Sequence, residues 1–177
     1  CNGFQVLVNL GVLPGLPGRA DARLAALIPN DCGNFRDAWV HLKAVDSKCV
    51  FTQGLDHLEL PIRHGEGKFY ADGPVLAELA DRGQIALKYA GPSGNAAQGR
   101  FPHNPNGSLL DIAGVTDATG RVLGLMPHPE AHISSFQHPA WTREKEAWRR
   151  RGEPYPEQVG DGLAIFTNAV RYLQDQV

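Results

Sequence analysis

Long hydrophobic runs are missing from this chain. No apolar stretch approaches the roughly 20 residues that a membrane-spanning helix needs, so the sequence predicts no membrane partner. A charge excess of one sign is missing too: 17 Lys and Arg face 19 Asp and Glu, a formal charge of −2 over 177 residues. That balance offers no foothold to a polyanion such as nucleic acid. Cysteine is scarce. Its three copies, an odd number without framework spacing, argue for free thiols in a reducing, cytoplasmic compartment. Cys32 and Cys49 have no base-containing motif beside them and read as structural. No Gly-x-x-x-x-Gly-Lys phosphate loop occurs, and neither an internal repeat nor a dividing linker breaks the chain. What remains, 42% hydrophobic and 20% charged residues, is the composition of one globular domain with enough length for a sizeable core.

The first residues, Cys1-Asn2-Gly3-Phe4-Gln5, carry chemistry. Phe4, Leu7, Val8 and Leu10 recur at helical spacing and Gly11 with Pro14-Gly15 supplies stop signals, so residues 2–10 are predicted helical with Cys1 at the N-terminal end. Unpaired N–H groups and the positive end of the dipole favour thiolate there. The same N–H groups, from Asn2 onward, can donate to an oxyanion. Gly3 lets a substrate approach, and Gln5, one turn on, can hydrogen-bond it. Read alone, these residues fit a buried structural cysteine opening a core helix equally well.

A distant segment tips that balance. Val122–Met126 is a short apolar run between Gly120 and Pro127, the pattern of a buried strand, and His128 and Glu130 follow its end. Catalytic groups collect at the carboxyl ends of strands in α/β folds. Residues two apart in an extended segment point the same way, so Glu130 can orient His128 while that imidazole takes the proton of Cys1, the logic of a catalytic triad. His128 and His132 bracket Glu130 in a way that faintly suggests zinc, but Pro127 and Pro129 forbid the regular helix that such a site needs. No metal is expected.

The rest of the chain alternates between strand and helix. Residues 13–18 read as loop, and residues 23–28 are apolar but too short to assign. Residues 38–45 form a half-buried strand with His41 facing solvent. Leu58, Leu60 and Ile62 form another strand, placed at a sheet edge by Pro61, and the His64–Gly67 turn follows. A helix opens at Asp72-Gly73-Pro74 and closes at Gly83; Ile85, Leu87 and Tyr89 alternate as a strand. Residues 91–107 are a long irregular loop, expected to be flexible like the His64–Gly67 turn. Residues 112–115 and 122–126 bracket a hairpin turn at 117–120. Asp161 is predicted to cap a helix with Leu163, Phe166, Val170 and Leu173 on one stripe. The basic run Arg143–Arg151, with Trp141 and Trp148 interleaved, reads as a solvated helix face or a docking surface.

Taken together, Cys1-Asn2-Gly3-Phe4-Gln5, His64-Gly65-Glu66-Gly67-Lys68-Phe69-Tyr70, Asn104-Pro105-Asn106-Gly107-Ser108 and Gly124-Leu125-Met126-Pro127-His128-Pro129-Glu130 resemble class I (triad-type) glutamine amidotransferases. The His-Gly-Glu-Gly and Asn-Pro-Asn-Gly-Ser pieces resemble the branch that serves as glutaminase subunit of phosphoribosylformylglycinamidine synthase. The resemblance implies a three-layer, mixed-sheet, flavodoxin-like α/β fold. It implies Cys1, His128 and Glu130 as catalytic residues, with Asn2, Gln5, His64, Gly65 and Glu66 around the glutamine. It also implies a partner, a formylglycinamide ribonucleotide synthetase subunit or domain that handles ATP and magnesium, so no cofactor is expected in this chain. Family members carry βα units ahead of the nucleophile, and residues 1–177 are therefore expected to be the C-terminal part of a single amidotransferase domain, as a fragment or a processed product. Other readings stay open on the residues alone: an N-terminal-nucleophile amidohydrolase using the amino group of Cys1 as base, a lipoprotein anchored through Cys1, or an inactive fragment acting as a binding module.

Overall fold

Alternating apolar residues build the two longest strands. In the computed structural model, which describes residues 1–19, 22–155 and 159–176, the elements run α1 (Asn2–Asn9), β1 (Ala25–Ile28), β2 (Arg36–Ala44), β3 (His57–His64), β4 (Lys68–Ala71), α2 (Gly73–Asp81), β5 (Ile85–Ala90), β6 (Ile112–Thr116), β7 (Leu123–Leu125), α3 (Trp141–Arg150) and α4 (Gly162–Gln174). The main sheet has the order β3-β2-β5-β6-β7, and every neighbouring pair is antiparallel. β1 and β4 make a separate antiparallel ribbon.

Two apolar clusters divide the sheet into faces. On one, Ile85, Ile112, Val115 and Met126 meet Phe4 and Val8 of α1, Val75 and Leu79 of α2, and Phe69 of the ribbon. On the other, Leu42, Leu60, Leu87, Tyr89 and Ala113 meet Ile165 of α4. The result is the layered α/β arrangement expected, with an antiparallel sheet at its centre. β5 contributes to both faces because register shifts on either side of Leu87 turn Ile85 one way and Leu87 and Tyr89 the other.

Several expectations need correction. Residues 25–28, too short to assign from pattern, are a strand because β4 pairs with them from Ala25–Ala71 to Ile28–Lys68. His41 is half-buried, stacked on His57 at 5.2 Å and 3.9 Å from Glu59, since the neighbouring strand covers it. Cys32 is exposed and Cys49 buried, so only Cys49 has a structural place. The apolar stripe of α4 faces outward: Phe166, Val170 and Leu173 are exposed. The inward face is set instead by Ile165 and by Asn168, whose amide donates to the carbonyls of Phe51 and Gln53. Asp161 stands at the helix start without capping it; its carboxylate accepts the N–H of Glu59 at 2.7 Å. α3 buries no residue, and its Arg149 and Arg150 both pair with Glu146. Among the described residues no helix is long and apolar enough to cross a membrane.

Candidate active site

α1 is fixed by its apolar face. Phe4 and Val8 are buried, each worth about 2 kcal/mol, and Phe4 stacks on Phe69 with centroids 6.2 Å apart. This close seating depends on Gly124 in β7. A Cβ there would lie 2.2 Å from Cδ2 of Phe4 and 2.6 Å from Cδ1 of Leu13, so the helix rests directly on the strand backbone. Cys1 occupies the N-cap and is half-buried; its amino group lies 3.5 Å from the carbonyl of Leu125. The N–H of Gln5 bonds back to the carbonyl of Cys1 at 3.1 Å, which leaves the N–H groups of Asn2, Gly3 and Phe4 without intrahelical acceptors. No acidic residue in the first turn competes for them. Nothing lies within 4 Å of where a Cβ of Gly3 would stand, so bare backbone faces open space.

The second segment is held from three sides. Met126 donates its N–H to Ala113 at 3.0 Å, and His128 donates its N–H to Pro61 at 2.8 Å. Pro129 then fixes φ and starts a 3-10 turn over Pro129–His132, so His128 and Glu130 are brought together by a turn and not by an extended segment as foreseen. Below the turn, Nδ1 of His132 meets the carbonyl of Glu59 at 2.8 Å, which engages that ring apart from His128. Above it, Gly162 of α4 comes so near that a Cβ would sit 2.0 Å from the carbonyl oxygen of Pro129.

Within this clamp Nδ1 of His128 stands 2.6 Å from Oε1 of Glu130. With the carboxylate accepting, Nδ1 carries the proton and Nε2 is a free base. Burial pulls the Glu130 carboxyl upward, yet the His128 hydrogen bond, its own backbone N–H and the neighbouring positive charges leave it below the ordinary carboxylate value. Nε2 of His128 is enclosed and has no partner among the described residues. A thiol–imidazole hydrogen bond is therefore not made in this state, a looseness common before substrate binds.

Both segments border one cavity of about 1200 Å³, and Asn2, Gln5, His64, Gly65 and Glu66 border it with Cys1, His128 and Glu130. Gln5 reaches Glu66, Nε2 to Oε2 at 3.1 Å. His64 is placed differently from the rest, with its side chain almost fully buried. Its Nε2 faces Nδ2 of Asn106 at 3.1 Å, and the amide orientation is settled because Oδ1 of Asn106 accepts from the N–H and hydroxyl of Ser108. Nε2 of His64 must accept. Burial holds its pKa down to about 4, with the Cys1 amino group and His128 contributing, and a proton on Nε2 would also set N–H against N–H. Nδ2 of the same Asn106 is also within reach of the Gly67 carbonyl at 2.8 Å and the Tyr89 hydroxyl at 3.0 Å, so its two N–H groups are shared among three acceptors. Asn30 bonds the His64 carbonyl and the Gly67 N–H. The His64–Gly67 turn is thus braced, and so is the long loop, where Asp111 accepts from the N–H groups of Gln98 and Gly99 and from Asn104. Neither is the loose segment expected from its glycines. Sequence reasoning passed over Arg63, Phe35 and Phe166, which also border the cavity. Arg63, the outward residue just before the His64 turn, was the one signal available.

Residues 1–173 match the family model described as a CobB/CobQ-like glutamine amidotransferase domain. Among curated proteins, phosphoribosylformylglycinamidine synthase subunit PurQ from Methanococcus maripaludis is 45% identical over 172 residues, 97% of this chain and 63% of that protein. The same-named subunits from Dehalococcoides mccartyi and Archaeoglobus fulgidus are 42% and 38% identical, over 97% and 98% of this chain and 61% of each relative. This chain therefore spans about three fifths of the length of the curated relatives it matches. Its fold is similar to a chain in the structure of PurLQS from Thermotoga maritima, with a TM-score of 0.64 and 27% identity over 97% of this chain and 59% of that one.

Proposed function

This chain belongs to the CobB/CobQ-like glutamine amidotransferase domain family, and from that premise we propose that its cavity hydrolyses the side-chain amide of L-glutamine through a thioester on Cys1. The observation that carries the reading is the 2.6 Å contact between His128 and Glu130, which leaves Nε2 of His128 as a base on the cavity that Cys1 borders. His128 takes the thiol proton as sulfur attacks the amide carbon. The oxyanion is met by the free N–H groups that begin at Asn2. Collapse breaks the carbon–nitrogen bond, and His128 returns its proton to the leaving ammonia. Water, deprotonated by the same nitrogen, then cleaves the thioester to glutamate and restores the thiol. Glu130 keeps the imidazole in the right tautomer and stabilises its charged form.

The names of the relatives support a narrower reading: the ammonia passes to a separate ATP-dependent synthetase, which makes formylglycinamidine ribonucleotide in purine biosynthesis. The test is glutamate release from glutamine by the intact protein, with and without such a synthetase and its nucleotide ligands. Cys1→Ala and His128→Ala are expected to lose at least a hundredfold in rate, and Glu130→Ala less. Retained turnover in Cys1→Ala would refute the assignment.

A further inference from the structure

The long loop over residues 91–111 has two sides. Its inner side is polar and taken up by the fold: Asn106 reaches His64 and Gly67, and the Asp111 carboxylate accepts from Gln98, Gly99 and Asn104. Its outer side leaves two large apolar side chains in water, Phe101 at 58% and Leu110 at 50% exposed. The Asp111 bonds hold residue 110 beside the 98–104 segment. Phe101 in turn lies under the guanidinium of Arg36, with Cζ 5.0 Å from the ring centroid. Next to Arg36, at the start of β2, stands Phe35, 64% exposed. Phe35 also borders the cavity, so the surface begins at the rim of the site.

Folding does not account for these residues. Leu110 has a φ of 53°, in the left-handed region where a leucine is disfavoured and glycine or asparagine sits easily. Its exposure means that no burial offsets that cost. Gln98 and Asp111 share the left-handed backbone, and such backbone clusters at functional sites. Among the described residues neither Arg36 nor Arg100 has a carboxylate partner. The buried Nε of Arg36 lacks an acceptor as well. Exposed aromatic and aliphatic side chains beside arginine, on a loop braced from behind, have the composition of a protein-docking surface. The bracing lowers the cost of ordering on contact. Unpaired positive charge favours an acidic partner over a second copy, which would bring like charges together. Resting on the proposed transfer of ammonia to a synthetase, we infer that this surface is where the synthetase docks, through an apolar patch set against Phe101 and Leu110 with a carboxylate facing Arg36. Its place at the cavity rim puts the consumer of ammonia next to the source.

Isothermal titration of the intact protein with the purified cognate synthetase and its nucleotide ligands tests the surface. Phe101→Ala and Leu110→Asn are each expected to weaken binding about tenfold or more, and Arg36→Gln to weaken it and flatten its dependence on salt. Leu110→Asn is also expected to keep or raise the urea midpoint, because asparagine suits a left-handed backbone, so a loss of binding there does not come from unfolding. Without the synthetase, glutamate release by Phe101→Ala and Leu110→Asn stays at the wild-type rate. Val170→Asn, on the exposed face of α4, binds like the wild type. Full affinity in both loop variants, or a loss confined to Val170→Asn, would overturn the assignment. So would a wild-type dimer that Leu110→Asn converts to monomer, since the surface would then be a self-contact. Those outcomes leave glutamine hydrolysis and a synthetase partner in place. A wild-type protein that hydrolyses glutamine but binds no synthetase would overturn the partner reading, and this inference with it.

Discussion

The N–H of His128 donates to the carbonyl of Pro61 at 2.8 Å, although β7 and β3 stand at opposite ends of the strand order. The sheet curls until the segment leaving one edge reaches the other. Pro61 suits that edge because it presents a carbonyl outward and has no N–H to leave unpaired. Two residues earlier Glu59 completes the seal, its carbonyl meeting His132 and its N–H meeting Asp161. The turn carrying His128 and Glu130 therefore rests on a strand more than sixty residues away in sequence, and its geometry depends on the whole sheet.

Gly124 sets the seat of α1. Replacing it by Ala drives a methyl into Phe4 and Leu13, both buried and unable to swing into solvent. The expected outcome is a loss of about 1–3 kcal/mol in stability, the usual cost of overpacking. A larger effect on kcat than on KM is expected because the helix moves with Cys1 on its end. Urea denaturation and steady-state kinetics on the intact protein check both parts. A variant with wild-type stability and turnover would contradict the account of how Cys1 is positioned.

His64 makes stability depend on pH. In the unfolded chain its imidazole titrates near 6.5 and in the folded protein near 4. Between those values the unfolded chain binds the extra proton. Its contribution is therefore fully present above about pH 6.5, is lost as pH falls through the window and is gone below about 4. The gap amounts to at most on the order of 3 kcal/mol. His64→Gln keeps an acceptor for Asn106 and removes the titration. Urea midpoints measured from pH 7 to 4 are expected to fall less steeply in that variant than in the wild type. Parallel profiles would contradict the assignment of this pH dependence to His64.

The parts of this molecule legible in its sequence are the local ones. The helix after Cys1, the hairpin of β6 and β7 and the segment with His128 and Glu130 all follow from spacing, glycine and proline. The pairing of β1 with β4 was hidden because both are four residues long and stabilise each other across forty positions. The Asn104–Ser108 stretch read as loop, since composition reports glycine and asparagine but not that Asn106 braces His64. Periodicity found the stripe on α4 but not that it faces outward. An apolar face has no label saying what covers it, and Asn168 turned the other side inward.

The central claim, that Cys1 is the nucleophile of a glutamine-directed site, is tested most directly by an electrophilic chloroketone analogue of glutamine followed by peptide mapping. Exposed Cys32 and buried Cys49 are internal controls. The expected result is one adduct, on Cys1, that forms in step with loss of glutamate release and is prevented by excess glutamine. Inactivation with the adduct on Cys32 or Cys49, or labelling of Cys1 that glutamine does not slow, would contradict it.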